Sequence, residues 1–431
     1  MRKKPSNAQR PTPKPPGIRV VVSRDARAVE GMLAGRQPRQ AVVVKRVVKI
    51  VDDVRRRGDG AVRKYARVLD GHHGPLEVSV AEMRALARSV PKDVRNAVVF
   101  AARNIRTVAQ AQVPRGWRTV TVPGITIEHR VTPLDRVGCY VPAGRYPLPS
   151  SLLMTAIPAR VAGVREIVVA CPRPDPTVMF AALEAGVDRL FRIGGAHAIA
   201  ALAYGTRTVP RVDKIVGPGS AYVAEAKAQV SRDCAIDFFA GPSEIVIVSA
   251  TGQPDWIAAD LIAQAEHDVD ARAILLTPSH TLAEAVAAEC RQQLPATGPA
   301  AESLRRNGGI VVTRSLNEAV ELCQRMAPEH VVCDSRTVAL RFTRAGTVFV
   351  GRYSAQALGD YVTGSNHVLP TSGAARARSG LSAADFVRVT PVQTVTVAGF
   401  RHVARAASIL ARAEGLESHA ASVEIRMGAA K

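Results

Sequence analysis

The sequence predicts an α/β fold with two Rossmann-like, doubly wound units and small helical segments near both ends of the chain. From residue 136 onward, short β-branched apolar runs alternate with helical stretches, which is typical of parallel sheets covered on both faces. The alternation restarts at Glu244, so we expect a second unit of the same kind. The segments on either side of this α/β region show the 3.6-residue period of helices instead.

The elements follow in order. Residues from about 40 to 112 are predicted to be helical, since Val47, Val51 and Val54 recur with a 3.6-residue period. The alternating stretch between 124 and 131 predicts an antiparallel strand or hairpin. Buried strands are then expected at 136–141, 166–170, 190–193, 213–216, 244–249, 273–277, 309–313, 330–333 and 347–351. From about residue 382 the pattern changes to two helices broken near Gly415.

These patterns divide the chain into four parts. We expect a disordered basic tail over 1–18, since it is rich in proline and contains no acid. The first α/β domain is expected to be discontinuous, made of 19–135, with the N-terminal helices, and 244–381. Residues 136–243 would form the second α/β domain, and 382–431 a C-terminal helical domain.

The composition bounds the class of protein. Of 431 residues, 47% are hydrophobic and 22% charged, which is ordinary for a soluble globular protein. No run approaches the roughly 18 apolar residues of a membrane-spanning helix, so we expect no membrane association. The six cysteines form no CxxC pair and several lie in apolar runs, which favours reduced core thiols in the cytoplasm.

The net charge of +21 is unusual and raises the question of a nucleic-acid partner. Lysines and arginines are scattered through the chain, however, and aromatic residues make up only 4%. No DNA-binding motif is present. We therefore expect no nucleic-acid partner, and interpret the charge either as that of a proteome with generally high isoelectric points or as suited to an anionic cofactor.

Two stretches carry residue types that bind divalent metals. Gln264 and His267 lie three residues apart on one predicted helix, and so on one face. Asp360 and His367 lie within the turn-rich stretch GDYVTGSNH. Imidazole, carboxylate and amide oxygen together suit zinc or manganese, so a metal site is plausible on this pattern.

Other stretches suggest catalysis and cofactor binding. His330, with Glu329 beside it, lies at the start of a predicted strand, where the histidine could act as a general base and the glutamate could activate water. A pair without a catalytic role fits this pattern equally well. The turns at 194–195 and 217–220 each connect a strand to a helix, which favours an anion at the helix start. Neither turn is a full GxGxxG motif.

Together these stretches closely resemble the histidinol dehydrogenase family. The resemblance extends from about residue 20 to the end, in the family's order and spacing. Its motifs include VGCYVPAGRYPLPSS, GGAHAIAALAYGT, VDKIVGPGSAYVAEAK, AGPSEIVIV, DLIAQAEHD, APEHV, GDYVTGSNHVLPT and AEGLESHAASVEIR.

The resemblance implies a zinc- and NAD-dependent enzyme that oxidises L-histidinol through its aldehyde to L-histidine, with two NAD consumed. It implies Glu329 and His330 as the catalytic pair. The implied ligands of one zinc ion per subunit are Gln264, His267, Asp360 and His419. The implied substrate contacts are Ser243, Gln264, His267, His330, Asp360, His367, Glu414 and His419.

The resemblance also implies a homodimer with shared active sites, in which His419 is contributed by the partner subunit and residues 382–431 serve dimerisation. Tyr140 would contact NAD. Two further cofactor positions depart from the family, which usually has glutamine where this chain has His197 and asparagine where it has Ser220. Since both replacements still form hydrogen bonds, we expect them to alter NAD affinity before the reaction.

Two rival functions would explain parts of this pattern. A paralogue acting on another small alcohol, such as a sulfonated diol, would keep zinc and NAD but change the substrate contacts. This chain retains Ser243, Glu414 and His419, which favours histidinol. A nucleic-acid-binding protein with a degenerate enzyme fold would explain the charge, but not the retention of Glu329-His330.

Overall fold

The computed structural model describes residues 18–34, 41–143, 146–239 and 241–429. The tail predicted over 1–18 lies outside these residues except for Ile18, which is buried. The strands are β1 (Val20–Val22), β2 (Glu77–Val78), β3 (Trp117–Val122), β4 (Ile125–Pro133), β5 (Arg136–Tyr140), β6 (Glu166–Ala170), β7 (Arg189–Phe191), β8 (Lys214–Val216), β9 (Ala235–Ile236), β10 (Glu244–Val248), β11 (Arg272–Thr277), β12 (Gly309–Val312), β13 (His330–Cys333), β14 (Thr347–Val350) and β15 (Val387–Val395).

The α-helices alternate with these strands through most of the chain. They are α1 (Ala26–Leu33), α2 (Ala41–Arg57), α3 (Asp59–Tyr65), α4 (Val80–Ala87), α5 (Lys92–Gln112), α6 (Pro149–Val161), α7 (Pro176–Ala185), α8 (Gly195–Tyr204), α9 (Ala221–Val230), α10 (Pro254–Ala265), α11 (His280–Gln293), α12 (Pro299–Asn307), α13 (Leu316–Met326), α14 (Arg336–Ala339), α15 (Gln356–Tyr361), α16 (Val397–Ala413) and α17 (Glu417–Ala429). A π-helical turn continues α3 over Ala66–Asp70.

Two six-stranded sheets form the two α/β units. The first has the order β1-β12-β11-β10-β13-β14, and all its strands run parallel. The second has the order β2-β7-β6-β5-β8-β9, and only the short β2 runs antiparallel to its neighbour. The central strands β10 and β11 are buried along their whole length, since helices cover both faces. The predicted pair of doubly wound units is therefore confirmed.

The N-terminal helices pack against the second sheet, not the first. The stripe of α2, which includes Val47 and Val54, is buried against α8 and α9, and α5 packs against α6 and α7. The division expected from the sequence places residues 19–135 with the first sheet. Of the described strands in that segment, only β1 pairs in the first sheet. The apolar stripes are as predicted, but an amphipathic helix does not specify which sheet covers it.

A third, antiparallel sheet of order β15-β4-β3 lies outside the two units. Its strand β4 confirms the strand predicted between 124 and 131. The prediction of helix from about 382 onward was wrong for β15, which pairs with β4 along its whole length. After β15, the two helices predicted around Gly415 are present as α16 and α17, and they pack against each other.

All six cysteines are buried and unpaired, as the sequence predicted. Their burial raises the pKa of each thiol; that of Cys139, for example, rises to about 12. Over the described ranges, none of the helices has the length and apolar character needed to cross a membrane.

Candidate active site

The predicted catalytic pair lies at the amino edge of the first sheet. His330 is the first residue of β13 and pairs in register with Ile245 of the adjacent parallel strand β10. Ser243 immediately precedes β10, so parallel pairing brings it beside Glu329. Two segments more than 80 residues apart in the sequence thus meet at one point.

Glu329 is held by two hydrogen bonds to one oxygen. Its Oε2 accepts from Ser243 Oγ at 2.6 Å and from the backbone N–H of Glu244 at 2.8 Å. The residue is only 6% exposed. Burial raises the pKa of this carboxyl group to about 8, against the opposing effect of the two hydrogen bonds. Such a group exchanges protons near neutral pH, as a general base must.

His330 is oriented by the backbone of the neighbouring strand β10. Its Nδ1 lies 3.1 Å from the carbonyl oxygen of Glu244, and a carbonyl only accepts, so Nδ1 carries the proton and donates. Nε2 is then the ring nitrogen free to accept a proton. Burial lowers the pKa of His330, which keeps the imidazole neutral and able to act as a base.

The predicted metal ligands Gln264, His267 and Asp360 come together beside this pair. Gln264 is fully buried at the end of α10, and its Nε2 donates to Ser243 Oγ at 2.6 Å. Its Oε1 is buried without a hydrogen-bond partner, which is costly unless something absent from the chain satisfies it. His267, just beyond the end of α10, has its Nε2 3.8 Å from Asp360 Oδ2. An orphaned amide oxygen beside an imidazole and a carboxylate fits a zinc ion.

The other residues predicted for this site lie elsewhere on the chain. No group of three or more His, Cys, Asp or Glu side chains suited to a metal ion is present within the described ranges. His419 and Glu414, predicted for the same site, are exposed on the hairpin of α16 and α17. That hairpin also exposes Leu410 and Ile425, which are 63% and 76% accessible.

The structure adds residues that the sequence reasoning missed. Gln356, almost fully buried in α15, donates to Asp360 Oδ2 at 2.6 Å and lies 3.5 Å from His330 Nε2. The predicted substrate contact His367 places Nδ1 2.9 Å from the carbonyl oxygen of Asp360. Its Nε2 lies 3.3 Å from Ser151 Oγ, in the first turn of α6. Neither Gln356 nor Ser151 lies in a pattern that marks a polar site.

Ser151 belongs to the second unit, so the site lies between the units. Helix α6 follows β5 and therefore begins at the carboxyl edge of the second sheet. In that sheet β5 lies between β6 and β8, and the order of strands reverses between β5 and β8. Open α/β sheets bind nucleotide ligands at such a reversal, outside the carboxyl ends of the strands. The turn at 217–220 directly follows β8 at this place.

The residues predicted to contact a cofactor lie around this edge. Tyr140, the last residue of β5, is 5% exposed, and its hydroxyl oxygen accepts from the N–H of Gly195 at 3.0 Å. Burial raises its pKa to about 12, so the phenol stays neutral. Ser220 is exposed at the start of α9, and its side chain makes no capping hydrogen bond. Helix α8 likewise begins without a side-chain cap, at Gly194. The start of α9 therefore offers N–H groups to an anion, whereas at the start of α8 the N–H groups of Gly194 and Gly195 already donate to Asp70 and Tyr140.

His197, also predicted to contact the cofactor, lies in the interior beside Asp70. It is fully buried, and its Nε2 lies 3.0 Å from Asp70 Oδ2, which also accepts from the N–H of Gly194 at 3.0 Å. The imidazole therefore points at Asp70 and not at the surface. Its influence on a cofactor would pass through the turn at Gly194 and Gly195.

Two doubly wound sheets with a buried glutamate–histidine pair at the edge of one of them are the fold and site of an α/β enzyme. The sequence model of histidinol dehydrogenase matches residues 34–427. Histidinol dehydrogenase of Gluconobacter oxydans strain 621H is 46% identical over 411 residues, covering 92% of this chain and 95% of that protein. The histidinol dehydrogenase of Aromatoleum aromaticum is 44% identical over 414 residues, covering 93% of this chain and 94% of that protein.

A solved structure agrees with these relatives. The crystal structure of histidinol dehydrogenase from Elizabethkingia anophelis matches with a TM-score of 0.90 at 30% identity, covering 96% of this chain and 98% of that chain. The chain belongs to the histidinol dehydrogenase family. The rival paralogue that acts on another small alcohol finds no support among these relatives.

Proposed function

We propose that this chain oxidises L-histidinol through L-histidinaldehyde to L-histidine, with two NAD as acceptors, in a zinc site shared between two subunits in the cytoplasm. One observation carries the proposal. The buried Glu329–His330 pair is connected through Ser243 to Gln264, whose Oε1 has no partner. The chain therefore presents a base, a water-activating carboxyl group and an unsatisfied metal donor in one place.

Zinc would be held by Gln264, His267 and Asp360 of one subunit and His419 of the partner subunit. When bound, zinc supplies a cation that orients the imidazole and amine of the substrate, and NAD supplies a hydride acceptor. The substrate contacts would come from Ser243, Gln264, His267, His330, Asp360, His367, Glu414 and His419. Exposure of Glu414 and His419 in one chain supports their contribution to a neighbouring subunit.

His330 would serve both oxidations. In the first, the carbinol carbon loses a hydride and its oxygen loses a proton, which Nε2 is free to accept because Nδ1 donates to Glu244. In the second, the aldehyde would add water, and the hydrate would lose a hydride while Nε2 of His330 again accepts a hydroxyl proton. Glu329 would take a proton from that water, since burial raises its pKa toward neutrality. Burial of both side chains limits the access of bulk water to the aldehyde.

The test is the number of NADH formed per L-histidinol by the purified, zinc-loaded protein. We expect two, and expect chelation of zinc or His330→Ala to abolish turnover. In a single turnover, Glu329→Gln should form one NADH and stop at the aldehyde, because an amide cannot accept the proton from water. The matched control is His280→Gln, an exposed histidine at the start of α11, which should retain two. Turnover with other alcohols but not with L-histidinol would contradict the proposal.

A further inference from the structure

A buried ion pair lies directly behind the turn at 217–220. Lys227, in the last turn of α9, and Asp237, after β9, are 2% and 6% exposed. Lys227 Nζ lies 2.7 Å from Asp237 Oδ1. Neither side chain belongs to the reaction described above, and both would cost free energy to bury unless each were fully satisfied.

Both members of the pair also hold the peptide of Gly217. Asp237 Oδ2 accepts from the N–H of Gly217 at 2.8 Å, and Lys227 Nζ donates to the carbonyl oxygen of the same residue. Asp237 Oδ1 accepts in addition from the N–H of Phe238 at 2.7 Å. The pair therefore binds both the N–H and the carbonyl oxygen of Gly217 in the turn.

The position of Gly217, fixed by these hydrogen bonds, affects the predicted cofactor contacts. Its φ is +116°, and a Cβ added there would collide with the backbone oxygen of Tyr140. A Cβ added to Gly219 would collide with the side chain of Val223 in α9. The turn is thus packed between β5 and α9 without spare room, so a shift of Gly217 would displace the positions of Tyr140 and Ser220.

We propose that Lys227 and Asp237 are positioning residues that fix the turn at 217–220 in the shape that binds the nicotinamide dinucleotide. The inference rests on the proposed function, which places the cofactor at this edge of the sheet. Stability alone explains the pair poorly, because buried ion pairs replaced by apolar residues of similar size often leave a protein equally stable or more so. The hydrogen bonds of both side chains with Gly217 indicate instead that the pair fixes the position of the turn.

The experiment measures NADH binding by fluorescence titration of the full-length, zinc-loaded protein, and L-histidinol binding by calorimetry. The principal variant is Lys227→Met combined with Asp237→Leu, which removes both charges together. We expect its Kd for NADH to rise about tenfold or more, while its Kd for L-histidinol changes less than about twofold. A purely structural role would weaken both ligands together or only lower the melting temperature.

Two further variants keep the test decisive. Asp237→Asn nearly preserves shape and should fold even if the double variant does not; its Kd for NADH should rise by about threefold. Lys214→Met is the matched control, because Lys214 pairs with Asp385 at 3.3 Å at the opposite end of β8. The control should bind NADH as the wild type does.

Unchanged NADH binding in the double variant, or in Asp237→Asn if the double variant does not fold, would overturn this inference while the proposed function stands. Equal weakening by Lys214→Met would also overturn it, because any lost ion pair of the unit would then suffice. If the wild type binds no NADH, the proposed function itself fails, and the inference with it.

Discussion

Glu329 and Glu244 are two carboxyl groups whose ionisation is set by burial. Burial raises the pKa of Glu329 to about 8 and that of Glu244 to about 7, although Arg272 lies 3.2 Å from Glu244 and favours its charged form. Glu244 also holds both members of the catalytic pair through its backbone, by its N–H to Glu329 and by its carbonyl oxygen to His330. Protonation of Glu329 or Glu244 therefore affects both the stability of the fold and the reactivity of the catalytic pair.

We predict that the metal-free protein loses stability as pH rises from about 6.5 to 8, and that Glu329→Gln reduces this loss. The folded pKa of Glu329 lies above its usual value of 4.5, so in this window the folded protein retains a proton that the unfolded chain has released. The stabilisation is complete below the usual pKa and is lost as pH rises through the folded one. One such proton gives a slope of at most about 1.4 kcal/mol per pH unit.

Urea unfolding with a chelator present, at several pH values, measures this slope. The lowered pKa values of His330 and His367 act in the opposite direction but below pH 6.5, outside the window. Glu302→Gln is the matched control, since this carboxyl group is exposed and its pKa is lowered beside Arg305. An unchanged slope in Glu329→Gln, or an equal change in Glu302→Gln, would contradict the prediction.

The sequence predicts the chemically unusual side chains better than their supports. Glu329, His330, Gln264, His267 and Asp360 were identified by residue type or family resemblance, and the fold brings them together. Gln356 and Ser151 beside the site, and Asp70, Lys227 and Asp237 beside the turns at 194–195 and 217–220, were not predicted. Their roles depend on contacts that only the folded chain creates, and no local pattern encodes such contacts.

Strands and helices were likewise predicted where a local sequence pattern marks them, and missed where only a distant partner does. Nine of the twelve strands in the two six-stranded sheets were predicted within a few residues because each is a short, nearly continuous apolar run, while the short edge strands β1, β2 and β9 were missed. Strand β15 was missed, since it is mostly exposed and its only signal is its antiparallel partner β4. The N-terminal helices were found by their period, but that period cannot specify that they cover the second sheet.

Two glycines at turns allow a prediction about close packing. Gly217 and Gly415 both have positive φ, of +116° and +75°. A Cβ at Gly217 would collide with Tyr140, whereas a Cβ at Gly415 would meet nothing within 4 Å. We therefore expect Gly415→Ala to lower the free energy of unfolding by only about 1 kcal/mol, from backbone strain. Gly217→Ala should cost at least about 3 kcal/mol, because strain and collision add.

Urea denaturation of the two variants checks this difference, with NADH titration alongside. Gly217→Ala should also weaken NADH binding, while Gly415→Ala should not alter it, since Gly415 lies in the hairpin of α16 and α17. Equal costs for the two substitutions would show that the turn after β8 has room to relax.

The whole molecule places opposite edges of its two sheets around one site. The amino edge of the first sheet carries Glu329 and His330, and the carboxyl edge of the second carries Tyr140 and the turn at 217–220. The contact between His367 and Ser151 joins the two edges. In the single chain, Glu414 and His419 lie exposed on the hairpin of α16 and α17. The proposal that a partner subunit brings them to the site leads to a prediction about the dimer.

We predict that two inactive variants restore activity when mixed. His330→Ala removes the base from a subunit's own site, and His419→Ala removes a ligand from the site of its partner. A mixed dimer then has one site with both defects and one with neither. If equal amounts are unfolded and refolded together, half the dimers are mixed, so activity should recover to about a quarter of wild type.

Assays after co-refolding, compared with simple mixing of folded variants, measure this recovery. Refolding His330→Ala with Glu329→Gln is the matched control, because both defects lie in the subunit's own site and every site keeps one of them. Recovery only in the first mixture would establish that His419 crosses between subunits, and the exposed apolar residues of the hairpin would then be accounted for as subunit contacts. If no activity returns although mixed dimers form, His419 must act within its own chain, and the exposed hairpin would have to fold back onto its own site.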